Sequence, residues 1–410
     1  MKTEIDSSNY TSWLASATEC KNLVFQSLDL TMDDARLSVL SQPIAAADNC
    51  VFLGCTFGPR FAAVVTRHHA LVFPSLPEKI YKPFRSSLYS VDELFDGYDP
   101  DVAGSYYSNS LDWKVYASYI KVDEHNKPLK PVQFVESGLD EILSRRLHDN
   151  FIDDELDEFL DEFRGPEKKG VVAIMGGHDK KRSDPDFKRV ASVARSLTLD
   201  GYLIVTGGGP GFMEAAHVGA FFATRPEADL YAAIDKMAVP NVSDSFADPE
   251  WLKAAWLVRK DNLPTDWSVC RSLGIPTWFY GHEPPNVFAS QIAKYFENSL
   301  REEGLLAIAS NGVIFAEGNG GTIQEIFQDA CQNYYENYDF KSPMVLFGKD
   351  YWQPKAIRLE NGIPVYPEKS YPAWPLLEGI AQKKNFLDLL TLTSDADVVL
   401  NAIRRFKAPW

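Results

Sequence analysis

Residues 202–216 read Tyr202-Leu203-Ile204-Val205-Thr206-Gly207-Gly208-Gly209-Pro210-Gly211-Phe212-Met213-Glu214-Ala215-Ala216. A β-prone run leads into a turn almost without β-carbons, and a helical pattern follows. A strand, a glycine turn and a helix N-terminus together offer backbone N–H groups and a positive dipole end to an anion. A second turn of this kind, Gly318-Asn319-Gly320-Gly321-Thr322, follows Gly312-Val313-Ile314-Phe315-Ala316 and opens a helix from Thr322 to Tyr335. Thr322 and Glu325 are three apart and share the face of its first turn. One glycine turn could serve only a tight left-handed bend. Two in one alternating pattern, each at the carboxyl end of a strand, point to a phosphate-bearing ligand.

Working outward, the chain after residue 165 alternates strand and helix. The reading places strands at Val171–Met175, Tyr202–Thr206, Ile275–Tyr280, Val313–Ala316 and Met344–Phe347. Helices are expected at Asp186–Leu199, 211–224, Val287–Glu302 and Thr322–Tyr335, and the segment Trp374–Phe406 as packing helices. A long excursion rich in Trp, Asp and Pro interrupts the series. Such alternation predicts an α/β fold, a Rossmann-like parallel sheet with helices on both faces. The first, second and fourth of these strands are expected to be neighbours whose carboxyl ends line one cleft.

Residues 139–164 have the apolar spacing of an acidic helix, and Gly165-Pro166-Glu167-Lys168-Lys169-Gly170 breaks it. That break predicts two domains, a smaller α+β accessory domain over 1–164 and the nucleotide-binding domain over 165–410. In the first, 22–28, 50–57 and Ala62–Val65 read as short strands. No chemistry there rises above that of a folded accessory domain.

The chain has 410 residues, 45% of them hydrophobic, enough to bury a core in each domain. Its formal charge of −16 argues against nonspecific binding to nucleic acid or anionic membrane. Cys20, Cys50, Cys55, Cys270 and Cys331 are scattered, with no metal-ligand or CxxC spacing, and read as reduced thiols of a cytoplasmic protein. The start of the chain lacks an apolar signal core, and no apolar run is long enough to cross a bilayer.

GGGPGFMEAA at 207–216 resembles the GGGxxGxMxxxA element of the LOG-type proteins, the cytokinin-activating phosphoribohydrolases once labelled lysine decarboxylases. EGNGGTIQE at 317–325 is similar to their PGGxGTxxE element, and MGG at 175–177 suits their first phosphate-facing turn. The resemblance covers about 165–350, and bacterial nucleotide 5′-monophosphate nucleosidases share this core with extra flanking domains. It implies a homodimer or higher homo-oligomer that cleaves the N-glycosidic bond of a nucleoside monophosphate, without cofactor or metal. The chain departs from the pattern at Glu317, which replaces Pro, and at Asn319, which replaces Gly. The RKxxM element is absent, and Arg301, about one residue out of register, reads either as its substitute or as a solvated helix charge beside Glu302.

Cleaving a ribose–base bond builds positive charge at the anomeric carbon, so a carboxylate beneath the sugar can stabilise it and deprotonate water. Glu325 is the candidate for that role, with Arg301 orienting the ligand. The 5′-phosphate is assigned to Gly318, Gly320, Gly321 and Thr322, with Gly176 and Gly177 beside them. Gly208, Gly209 and Gly211 face the ribose or base. His178 and the charged run Asp179-Lys180-Lys181-Arg182 read as a solvated loop, while His217 and His282 read as structural. Asn286 fits an N-cap as well as a site position, and Lys294 falls on a helix bordering the site. A dehydrogenase is disfavoured, because Glu227 and Asp229 follow Thr224-Arg225-Pro226 and not the end of a second strand. The rival is a nucleotide-binding sensor of the same fold that does not hydrolyse its ligand.

Overall fold

The computed structural model describes residues 3–41, 50–67, 70–77, 79–124, 128–238, 246, 248–279, 283–336, 341–361 and 363–408. The chain folds as two compact units, Met1–Ser86 with Ser137–Phe151, and Ser87–Glu136 with Ile152–Trp410. The helix Leu139–Asp161 contributes its first half to one unit and its second half to the other.

In the first unit four strands, Thr3–Ile5, Leu23–Gln26, Val51–Leu53 and Leu71–Phe73, pair in that order and all in parallel. Phe25 and Phe52 stack at 4.9 Å between ring centroids and are fully buried. Residues 62–65, expected as a strand, lie in the helix Pro59–Arg67. Its buried Phe61, Val64 and Val65 recur at three and four residues, which is helical spacing, and Pro59 suits the first turn.

The second unit is built on seven parallel strands. In chain order they are β1 Val171–Met175, β2 Leu203–Thr206, β3 Ser272–Gly274, β4 Gln291–Ile292, β5 Val313–Phe315, β6 Met344–Phe347 and β7 Leu390–Thr393. Their spatial order is β4-β3-β2-β1-β5-β6-β7. The central strands read as unbroken apolar runs, because helices cover both faces of the sheet. The helices that matter here are α1 Pro185–Leu199, α2 Phe212–Phe221, α3 Glu227–Ala238, α4 Pro249–Asp261, α5 Asn298–Ile308, α6 Gly320–Tyr335, α7 Trp374–Lys384 and α8 Ala396–Arg405. As expected, β1 pairs in parallel with β2 on one side and β5 on the other. The chain fills one side of β1, then returns to fill the other, so the order reverses between β1 and β5. Ligands of open α/β sheets bind at the carboxyl ends of the strands flanking such a reversal.

Three expectations are corrected. The strand expected at 275–280 is β3, three residues earlier, since Pro276 has no N–H to give a sheet ladder. The helix expected at 287–302 begins only at Asn298. Residues 287–290 are a turn and bend, and from β4 at Gln291–Ile292 onward the chain runs beside the end of β3, with Ala293 N–H donating to Gly274 O and Trp278 N–H to Tyr295 O, each at 2.9 Å. The apolar side chains of 287–297 are buried without helical periodicity. The closing segment holds β7 as well as α7 and α8, and the excursion after α2 holds α3 and α4. Among the described residues no helix is long and apolar enough to cross a membrane.

Candidate functional site

An open cleft of about 240 Å³ lies at the carboxyl ends of β2, β1 and β5, at the point of reversal. Of the residues proposed from sequence, Gly176, Gly177, Gly209, Arg301, Gly321, Thr322 and Glu325 line it. Gly208, Gly211, Gly318 and Gly320 do not, and the first three of these shape its walls.

Gly208 has φ +73°, and a β-carbon there would stand 2.8 Å from Pro276 Cδ. Its N–H donates to Thr206 Oγ1 at 2.8 Å, so it is spent inside the fold. Gly211 has φ +70°, and a β-carbon on it would run into the Gly177 carbonyl. One on Gly318 would run into the Thr322 hydroxyl. These glycines leave room for close approach of neighbouring chain where a β-carbon would collide.

His217 anchors the first turn from below. It is fully buried, with Nε2 2.8 Å from Thr206 Oγ1 and Nδ1 2.8 Å from Ser272 Oγ, and burial lowers its pKa to about 3. It is a neutral structural histidine, as expected. Asn286 is no helix cap, since no helix starts there. Its backbone N–H donates to Gly208 O at 2.9 Å and its side chain accepts from Phe288 N–H, fastening the loop to the glycine turn. Lys294 does not line the cleft; it is buried against Asp112 and lies 5.0 Å from the Trp278 ring centroid. His282 lies outside the described residues.

The second turn opens α6. Asn319 is its N-cap, in extended conformation at φ −91°, and its side chain makes no cap hydrogen bond. It donates instead to Asp179 Oδ2 at 3.2 Å. The first-turn N–H groups of Gly320, Gly321 and Thr322 therefore receive nothing from the cap, and with the helix dipole they form an anion-seeking end. Tyr351 O–H holds Gly318 O at 2.8 Å, and Trp352 Nε1–H holds Phe315 O at 3.2 Å. Glu317, the departure from Pro, puts no carboxylate in the cleft: its Oε2 pairs with Lys180 Nζ at 2.7 Å on the far side of the turn, while its carbonyl accepts from Gly177 N–H at 2.9 Å.

Glu325 and Arg301 face each other inside the cleft with 4.0 Å between Oε1 and Nη1, their side chains only 14% and 13% exposed. Burial pushes the Glu325 carboxyl up to about 7, against the pull of Arg301 and with a further push from Glu302. Arg301 also reaches the first turn, its Nη1 3.5 Å from where a Gly207 β-carbon would stand. Glu302 is held aside by Gln324 Nε2–H at 2.9 Å.

Two features were not legible in the sequence. Glu283 lines the cleft, its Oε1 3.7 Å from His178 Nδ1, and burial raises its pKa. It sits in a Pro-rich loop without motif or spacing to single it out. Arg182, read as part of a solvated loop, is buried. It makes two bonds to Glu214, Nε–H to Oε2 at 2.8 Å and Nη2–H to Oε1 at 2.6 Å, and stacks 4.2 Å from the Trp251 ring centroid. This pair ties the loop after β1 to α2.

No protein-family model matches the chain, and no curated protein matches it. Among solved structures, the molybdenum cofactor binding protein of the phototrophic bacterium Rippkaea orientalis is similar over 58% of this chain and 98% of its own, at 15% identity and TM-score 0.33. A structure of the molybdenum cofactor carrier protein of Chlamydomonas reinhardtii matches over 58% of this chain and 97% of its own, at 14% identity and TM-score 0.33. A second of that protein covers 58% and 98%, at 15% identity and TM-score 0.34. At these scores the likeness adds nothing to the reading of the cleft, which rests on the chain's own residues.

Proposed function

We propose that the second unit is a phosphoribohydrolase of LOG type, which hydrolyses the N-glycosidic bond of a nucleoside 5′-monophosphate to free base and ribose 5-phosphate. One observation carries this reading: a buried carboxylate, Glu325, one helical turn along from uncapped N–H groups at Gly321 and Thr322. A phosphate held at the helix end would place the sugar beneath Glu325 at a fixed reach. As C1′ becomes cationic, the carboxylate would stabilise it and take the proton of the attacking water. Arg301 would hold Glu325 in place and favour its ionised form.

The reaction consumes one water, and the residues named supply its charge stabilisation and proton transfer. The test is to incubate the purified protein with AMP, GMP, CMP, UMP and IMP and to assay base together with ribose 5-phosphate. Stoichiometric release of both from at least one nucleotide supports the reading. Nucleotide binding with no release from any of them would replace it with the non-hydrolytic sensor.

A further inference from the structure

Breaking a neutral N-glycoside leaves a base that departs badly as an anion, so a second group able to protonate it lowers the barrier. The cleft holds such a group on the wall opposite the phosphate end. In the sheet, β2 and β5 lie on either side of β1. The helix end assigned to phosphate follows β5, so a ribose running from it carries its base toward the glycine turn after β2. There Glu283 lies against Gly209, where a β-carbon would touch its Oε2, beside Met213.

We propose that Glu283 is the general acid that protonates the departing base, the partner of Glu325 as base. This rests on the phosphoribohydrolase reading above. Two carboxyls in one cleft can divide the work when their surroundings differ. Glu325 is the more enclosed, at 14% side-chain exposure, and burial raises its pKa to about 7 against the pull of Arg301. Glu283, at 34%, has no hydrogen-bonded cation among the described residues. Burial raises its pKa against the opposing charges of His178, Arg301 and Lys294, as it raises that of Glu325, so it is the place of Glu283 beside Gly209 and Met213, on the base side of the cleft, that assigns it the acid role. Its own 34% exposure lets Glu283 take up a proton from solvent.

The step balances. Water oxygen bonds to C1′, the C1′–N bond breaks with its electron pair going to the base, Glu283 gives that base a proton, and Glu325 takes one from the water. Exchange with solvent then restores both carboxyls.

The test compares AMP with nicotinamide mononucleotide, whose cationic base leaves as a neutral pyridine and needs no proton. Wild type, Glu283→Gln, Glu283→Asp and Glu325→Gln are assayed on both. Glu283→Gln should lower the ratio of AMP to nicotinamide mononucleotide turnover by about 30-fold or more, as loss of a general acid does. Glu283→Asp should recover part of that loss, and Glu325→Gln should lower both rates alike. A ratio that stays within about threefold in Glu283→Gln contradicts the proposal. So does a wild type that cleaves AMP but not the intrinsically weaker cationic bond. If wild type releases base from neither of these nor from GMP, CMP, UMP or IMP, the phosphoribohydrolase reading itself has failed; if it cleaves one of those instead, that nucleotide replaces AMP in the comparison. Normal wild-type turnover with an unmoved ratio removes only the role of Glu283.

Discussion

Arg301 Nη1 stands 4.0 Å from Glu325 Oε1, although the two residues belong to different helices, α5 and α6, with β5 between them in the chain. The cation opposes a carboxyl that burial has already lifted to about 7. Glu325 therefore titrates near neutrality. As the base it must be ionised, so the rising limb of turnover should lie near pH 7, and the need for a protonated Glu283 gives the profile a falling limb. Glu325→Gln removes the charge at nearly constant size and should cost roughly 100-fold or more in turnover while nucleotide still binds. Arg301→Ala should move the midpoint of the rising limb upward, since it removes the charge that favours the carboxylate. A pH profile that Arg301→Ala leaves in place would separate the two residues.

The phosphate assignment has its own test at Gly321. A β-carbon there meets nothing within 4 Å, so side-chain bulk costs nothing. Gly321→Ala should keep AMP binding and, lying within a helix, stabilise the fold by about 0.5–1 kcal/mol. Gly321→Asp places a negative charge among the N–H donors and should erase the preference for AMP over adenosine. Calorimetric titration of both ligands into the two variants checks this. Equal affinity of wild type for AMP and adenosine would remove phosphate from this helix end.

Arg182 and Glu214 are each about 1% exposed, so removing either partner strands the other's charge in the interior. Arg182→Ala should destabilise the second unit by roughly 3–5 kcal/mol. Replacing both by Met should cost far less. Denaturant midpoints of single and double variants measure the difference, and additive losses would contradict it.

Asp329, one turn beyond Glu325, is buried with an Oδ2 that has no hydrogen-bond partner among the described residues, and burial lifts its pKa to about 8. Exposed in the unfolded chain it titrates near ~3.9. The native state thus binds this proton more tightly than the unfolded one. The resulting stability is complete below about pH 4 and is lost as pH rises through about 8. Asp329→Asn should flatten that fall, gaining melting temperature over wild type at pH 9 relative to pH 5. Parallel curves for the two proteins would contradict it.

The sheet centre was legible because β1, β2, β5 and β6 are buried on both faces and read as apolar runs closed by glycine turns. The turn glycines were legible as a group, and Gly208, Gly211 and Gly318 also hold positions where a β-carbon would collide with the neighbouring turn. What hid was decided by tertiary pairing. Residues 287–297 are rich enough in apolar groups for a helix, but their N–H groups are taken by the end of β3, as with Ala293 on Gly274. β7 hid between two helices because a four-residue edge strand carries little pattern. Arg182 looked like a loop charge because its partners, Glu214 and Trp251, are remote in sequence. Glu283 had no signal at all, since only the fold brings that loop to Gly209.

The central claim is that this cleft hydrolyses a nucleoside monophosphate through Glu325. The most direct measurement follows base and ribose 5-phosphate from each common monophosphate with wild type and Glu325→Gln side by side. Equimolar release of both products by wild type, falling about 100-fold or more in a folded Glu325→Gln that still binds nucleotide, is the predicted result. Release of product at equal rates by both proteins, or nucleotide binding without release by wild type, would contradict it.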